Sequence, residues 1–155
     1  MKFTKLSRTE GKGSVLLNGH HAVAVYQAQG QTIIRTTAGG ENASFVVSED
    51  ATDVIGHLTK AGCTFVELTR VKDAKPLYLN ASQIVGVYAR QQGFTTVRTT
   101  AAGDHAEYVV PETPTVVEGK LSEAYQTARV STPVSMITGI LKTPKARSAA
   151  RTAAM

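Results

Sequence analysis

The 155 residues contain no tryptophan and one cysteine, and only nine side chains are aromatic. A lone cysteine, Cys63, excludes an internal disulfide framework and any multi-cysteine zinc site. With so few aromatics, a core must be built from Val, Leu, Ile and Ala. No apolar run approaches the roughly 20 residues of a membrane helix, so no membrane partner is expected. The first residues, Met1 to Gly13, are charged and polar with no apolar stretch behind them. That argues against secretion and for a cytoplasmic or virion-associated protein. The histidines His20, His21, His57 and His105 have no Cys, Asp or Glu at metal-ligand spacing. Nucleophile-elbow, Walker and dinucleotide glycine patterns are absent too. The expectation is a protein with no enzymatic centre, no metal and no cofactor. What is present, 42 % apolar and 19 % charged residues, suits a folded globular chain.

The chain repeats itself. Phe3-Thr-Lys-Leu-Ser-Arg8 aligns with Phe65-Val-Glu-Leu-Thr-Arg70, and Val23-Ala-Val-Tyr26 with Val85-Gly-Val-Tyr88, at one constant offset. After a single insertion, Arg35-Thr-Thr-Ala-Gly-Gly40 aligns with Arg98-Thr-Thr-Ala-Ala-Gly103, and Phe45-Val-Val47 with Tyr108-Val-Val110. Roughly two in five of the paired positions are identical. Chance identity would be far lower, so the chain reads as a tandem duplication. The expected organisation is a β-rich repeat over 1–62, a second over 63–128, and a C-terminal tail over 129–155.

Each copy has the same plan. Runs rich in Val, Ile, Thr and Tyr are cut by Gly, Asn, Asp and Lys, which predicts short antiparallel strands. They fall at 3–8, 14–18, 22–27, 32–37 and 43–48, then at 65–71, 76–80, 84–90, 94–100 and 106–110. A helix closes each copy. In the first, Ser48 is the expected N-cap, with Glu49 and Asp50 serving the helix dipole. In the second, Thr113-Pro114 and Thr115-x-x-Glu118 mark the start. The fold class is therefore mainly β with short helices, as two small meander or barrel-like units. About 60 residues give a marginal core, so the copies are expected to pack on each other.

The second copy, through Val66-Glu-Leu-Thr-Arg70, Pro76-Leu-Tyr-Leu-Asn80, Ile84, Thr95-x-Val-x-Thr99 and Val109-Val110, resembles the FlbD-type (SwrD-type) small proteins of bacterial flagellar operons. The resemblance implies a small β fold and a non-enzymatic role. The first turn of that family carries Asn-Gly, where this chain has Lys72-Asp-Ala-Lys75.

Polar residues retained in both copies are candidate contacts. They are Arg8 and Arg70, Arg35 and Arg98, and Asn18 and Asn80. An Asn can close a turn with its side chain, and an Arg can tie a strand to a carboxylate or lie over Tyr26 or Tyr88. The alternative is a pair of small-anion or nucleotide sites.

The net charge of +5 is uneven. Residues 1–62 carry six basic against five acidic side chains, and residues 63–121 six against six. Residues 122–155 carry Arg129, Lys142, Lys145, Arg147 and Arg151 against Glu123 alone. A basic tail on a neutral body reads as an arm for nucleic acid or an acidic protein surface. Ahead of the basic run, Met136, Ile137, Ile140 and Leu141 form an apolar patch suited to docking. The resulting expectation is a non-enzymatic bacterial or phage binding and assembly protein, a homo-oligomer or part of a larger assembly, whose tail engages a partner, with a structural role in a virion or flagellar assembly as the alternative.

Overall fold

The structure, a computed structural model, describes residues 3–103 and 106–130. The chain divides into two compact units, Met1–Ala124 and Tyr125–Met155, and of the second the described part is the end of a helix.

Among the described residues, ten strands and two α-helices follow one another in the order the turn signals predict. These are β1 (Phe3–Ser7), β2 (Ser14–Asn18), β3 (Ala22–Ala28), β4 (Gln31–Thr36), β5 (Ser44–Val47), α1 (Ala51–Lys60), β6 (Phe65–Thr69), β7 (Pro76–Asn80), β8 (Ile84–Ala89), β9 (Thr95–Thr99), β10 (Glu107–Val110) and α2 (Pro114–Val130). They form three antiparallel sheets: β1-β2, a five-stranded β5-β4-β3-β7-β6, and β10-β9-β8. The fold is mainly β with two short helices.

Strand β3 explains the central sheet. Its residues Ala22 to Tyr26 are all buried, an uninterrupted apolar run that needs cover on both faces. Ala22 and Val25 pack with Leu6, Leu17, Ile34 and Val47, under Val54 and Leu58 of α1. Val23, Ala24 and Tyr26 pack with Val66, Leu68, Leu77 and Leu79, with Val117 of α2 on the same cluster. One strand thus serves two cores, and a five-stranded sheet crosses the expected boundary at residue 62. The largest fully buried side chains are all Leu, Ile or Val, as the scarcity of aromatics requires.

Two carboxylates hold strand ends. Glu49 accepts the Ser7 N–H at 3.1 and 3.0 Å, while its carbonyl accepts from Thr32 Oγ1 at 2.6 Å. Glu112 accepts the Thr69 N–H at 3.3 Å and Thr69 Oγ1 at 2.8 Å, while its carbonyl accepts from Thr95 Oγ1 at 2.5 Å. Glu49 is therefore a tie between strands, where the sequence reading made it a helix-dipole residue. The N-cap of α1 is Asp50, with no side-chain cap bond. Ser48, the expected cap, instead extends the β1 contact, its N–H donating to the Ser7 carbonyl at 2.9 Å. At α2 the Thr113-Pro114 start holds, with Thr113 Oγ1 accepting the Val116 N–H at 3.3 Å, whereas Thr115 and Glu118, expected as a capping box, lie inside the helix because Thr113 already takes the cap position.

Cys63 is buried, and burial pushes its thiol above the usual cysteine range. A Cβ on Gly19 would come within 2.5 Å of its Sγ, so glycine is required there for close packing.

Candidate functional site

The joint between β3 and β7 gathers more of the candidate residues than any other place among those described. The two strands pair antiparallel with Ala24 opposite Leu79, Val25 opposite Tyr78 and Tyr26 opposite Leu77. At one end sits Asn80, 1 % exposed. Its Nδ2 donates to the carbonyls of Ala22 at 2.8 Å and Gly19 at 3.4 Å, and its Oδ1 accepts from Ser82 N at 3.2 Å and Ser82 Oγ at 2.9 Å. The side chain thus closes its own turn and fastens the Gly19–His21 turn beside it. Gln83 Nε2 adds a further bond to the His20 carbonyl.

At the other end, the Arg70 guanidinium lies 4.5 Å from the centre of the Tyr26 ring. Its Nη1 donates to the Gln27 carbonyl at 2.7 Å and stands 3.4 Å from Asp73. Arg35 reaches the same tyrosine, donating from Nε to Tyr26 Oη at 3.0 Å. Two cations from distant parts of the chain therefore meet on one tyrosine, Arg70 over the ring and Arg35 at the hydroxyl. Tyr108 lies in the same field. Its hydroxyl is buried without a hydrogen-bond partner. Burial, then Tyr26, push its acidity down, against a smaller opposite pull from Arg35 and Arg70.

The remaining candidates lie apart. Arg98 is half exposed, and its Nη1 is 2.5 Å from Glu107 Oε2, which also accepts from Tyr88 Oη at 2.9 Å. These bonds, from Tyr88 first and Arg98 second, hold the Glu107 carboxyl below the usual carboxylate range. Arg8 sits 5.8 Å from the centre of the Phe45 ring. Asn18 Oδ1 accepts the His20 N–H at 3.1 Å. The four arginines thus make one cluster at the joint and two separate surface contacts. Chemically, the joint is equipped to hold two strands together. Both its cations are engaged by tyrosine, backbone carbonyl or Asp73.

Beside the joint, a cavity of about 280 Å³ is lined by Gln27, Pro76 and Tyr78 of β3 and β7 and by Asp50, Ala51, Thr52 and Lys75. Its lining contains no cysteine, serine or histidine. Among the described residues, no three His, Cys, Asp or Glu side chains converge on a point that could hold a metal ion. No described helix is long and apolar enough to cross a membrane. Arg129 falls in the last turn of α2, while Met136, Ile137, Ile140, Leu141, Lys142, Lys145, Arg147 and Arg151 lie outside the described residues.

No family model matches this chain, and no curated protein is similar to it. The chain is similar in structure to the LytTr DNA-binding domain of a Bacillus cereus response regulator. The TM-score is 0.53 at 12 % identity, over 78 % of this chain and 96 % of that one. At that identity the likeness is one of fold.

Sequence reasoning missed two features. One is the Tyr26–Tyr108 neighbourhood, which long-range pairing creates and no local spacing records. The other is a set of exposed apolar residues: Phe3 at 58 %, Leu16 at 67 %, Val85 at 65 % and Tyr88 at 47 %. A signal for these existed. Each aligns with a residue of the other copy, so a shared apolar pattern could have been compared for burial.

Proposed function

We propose that this chain is a non-enzymatic nucleic-acid-binding protein, built as a tandem duplication whose neutral β body carries a basic arm over 129–155. The observation that carries the reading is charge placement. Five of the seventeen basic residues lie in 122–155 against one of the twelve acidic ones, and the rest of the chain is close to balance. A neutral body lacks the broad basic face of most nucleic-acid-binding domains, so the arm must supply the phosphate contacts. The fold supports the reading from a second side, since a DNA-binding domain is built on a similar one. The resemblance of the second copy to FlbD-type proteins adds a non-enzymatic precedent.

The duplication is supported by equivalent details at equivalent positions. The Glu49 and Glu112 ties are the same device, as are the Asn18 and Asn80 turn closures. The register shifts between Ala22 and Ala24 and between Ile84 and Gly86 also correspond. On this reading each copy is a two-stranded ribbon, a three-stranded meander and a helix. The protein acts where nucleic acid is found, in the cytoplasm or a virion.

The test is binding of the full chain to short labelled duplex and single-stranded DNA at low salt, beside the K142A/K145A/R147A/R151A variant. The reading expects binding with little sequence preference in the parent and a large loss in the variant. Equal affinities would remove the arm from the function, and no binding to either DNA would remove nucleic acid.

A further inference from the structure

The joint between β3 and β7 has a second half that is left open. By the repeat alignment, β3 corresponds to β8, and β7 to β2. Strand β3 pairs with β7, but β8 and β2 do not pair with each other: β8 ends the sheet β10-β9-β8, and β2 belongs to the two-stranded β1-β2. Among the described residues both present an open edge.

The side chains tell the same story. Val23 on β3 is 0 % exposed, and Tyr26 is 8 %; their counterparts on β8, Val85 and Tyr88, are 65 % and 47 % exposed. Phe65 on β6 and Tyr78 on β7 are partly buried against the cluster that includes Val25, whereas their counterparts Phe3 and Leu16 are 58 % and 67 % exposed. Three of the seven large exposed hydrophobics of the described residues, Leu16, Val85 and Tyr88, thus sit on these two edges, and a fourth, Phe3, lies on β1 beside β2.

We propose that this chain associates head to tail with copies of itself, β8 of one molecule receiving β2 of the next in the manner of the β3–β7 joint. The occupant is specified by that joint, because the chain already contains a strand built to fit such an edge. The register follows from Ala24 opposite Leu79, Val25 opposite Tyr78 and Tyr26 opposite Leu77. It puts Gly86 opposite Leu17, Val87 opposite Leu16 and Tyr88 opposite Val15 of the next molecule. Arg8 of the incoming molecule takes the place that Arg70 holds over Tyr26, above Tyr88, with the Ala89 carbonyl as its acceptor in the position of the Gln27 carbonyl. The contact joins two unlike patches, so it propagates into a ring or an open filament and does not stop at a dimer. The inference rests on the duplication and is independent of nucleic-acid binding.

The test is a concentration series of the full chain by sedimentation velocity, without nucleic acid and at moderate salt. The parent is expected to rise beyond the dimer mass. Val85→Lys and Leu16→Asp each place a charge at a contact that the joint buries, and each weakens association by about a hundredfold. Both positions are exposed in the single molecule, and Lys5 stands opposite Leu16 on β1, so the monomer tolerates the changes. Tyr88→Ala serves as an uncharged second variant of the β8 edge and weakens association as well. The decisive arm is the equimolar mixture of V85K and L16D. Each alone is monomeric, but the first keeps an intact β2 and the second an intact β8, so together they form a 1:1 dimer that cannot extend. A parent that stays monomeric at every concentration overturns the proposal. So does association that survives every variant, which would place it on another surface or on residues 131–155, or a mixture that remains monomeric.

Discussion

Replacing Asn80 with alanine tests the joint at its most buried polar point. The side chain is 1 % exposed and makes two bonds across the joint and two within its own turn. A net intramolecular hydrogen bond contributes about 1 kcal/mol, and a buried group left without its partner costs about 1–3 kcal/mol. The 3.4 Å bond to Gly19 is weak, and Ser82 is exposed enough for water to replace its share. The loss should therefore total about 2–4 kcal/mol. Equilibrium urea unfolding followed by circular dichroism reads it directly. With a slope of about 2 kcal/mol per molar, the midpoint should fall by roughly 1–2 M at unchanged slope. Ser82→Ala, which removes only the local 2.9 Å bond, should cost under about 1 kcal/mol. If Asn80→Ala stays within about 0.5 kcal/mol of the parent, or matches Ser82→Ala, Asn80 does not fasten β7 to β3 and the reasoning fails.

Two further outcomes follow from titrating groups. The Tyr108 hydroxyl titrates above the ordinary tyrosine range in the fold, so the unfolded chain gives up that proton first as pH rises. Its stabilising share is intact below about pH 10 and drains away above it; Tyr108→Phe should flatten this alkaline loss, and at neutral pH should be neutral or stabilising because an unpartnered buried hydroxyl is removed. Glu107 has the opposite sign. Its carboxyl is held low in the fold by Tyr88 and Arg98, so its contribution is present above the ordinary carboxylate range, near pH 4.3, and is lost as pH falls through its folded value. Glu107→Gln should remove that part of the acid dependence in urea midpoints compared at pH 3 and pH 7, and an unchanged difference would count against the Arg98–Glu107–Tyr88 contact.

Strand positions were legible because the apolar runs and the turn residues agree. Both 14–18 and 76–80 coincide with β2 and β7, and most other ends shift by a residue or two. Helix α2 was legible from Thr113-Pro114, where the chemistry of the start is local. The start of α1 was not, because the contact with Ser7 that occupies Ser48 comes from a segment about forty residues away. The candidate site follows the same division. Asn18 and Asn80 look alike in sequence, and both close a turn, but only pairing with β3 shows that Asn80 also crosses a joint. Val23 and Val85 are likewise the same residue in the same pattern, at 0 % and 65 % exposure. A repeat alignment assigns equivalent positions without saying which of them meets a partner in the folded chain.

Salt dependence of nucleic-acid affinity tests the functional account most directly. With up to five cations of 122–155 engaging phosphate, the logarithm of affinity for duplex DNA should fall against the logarithm of salt with a slope of about −3 to −5. Removing Lys142, Lys145, Arg147 and Arg151 together should bring that slope close to −1, with the urea midpoint unchanged. A parent that shows no binding at low salt, or a variant that keeps the parent slope, would contradict it.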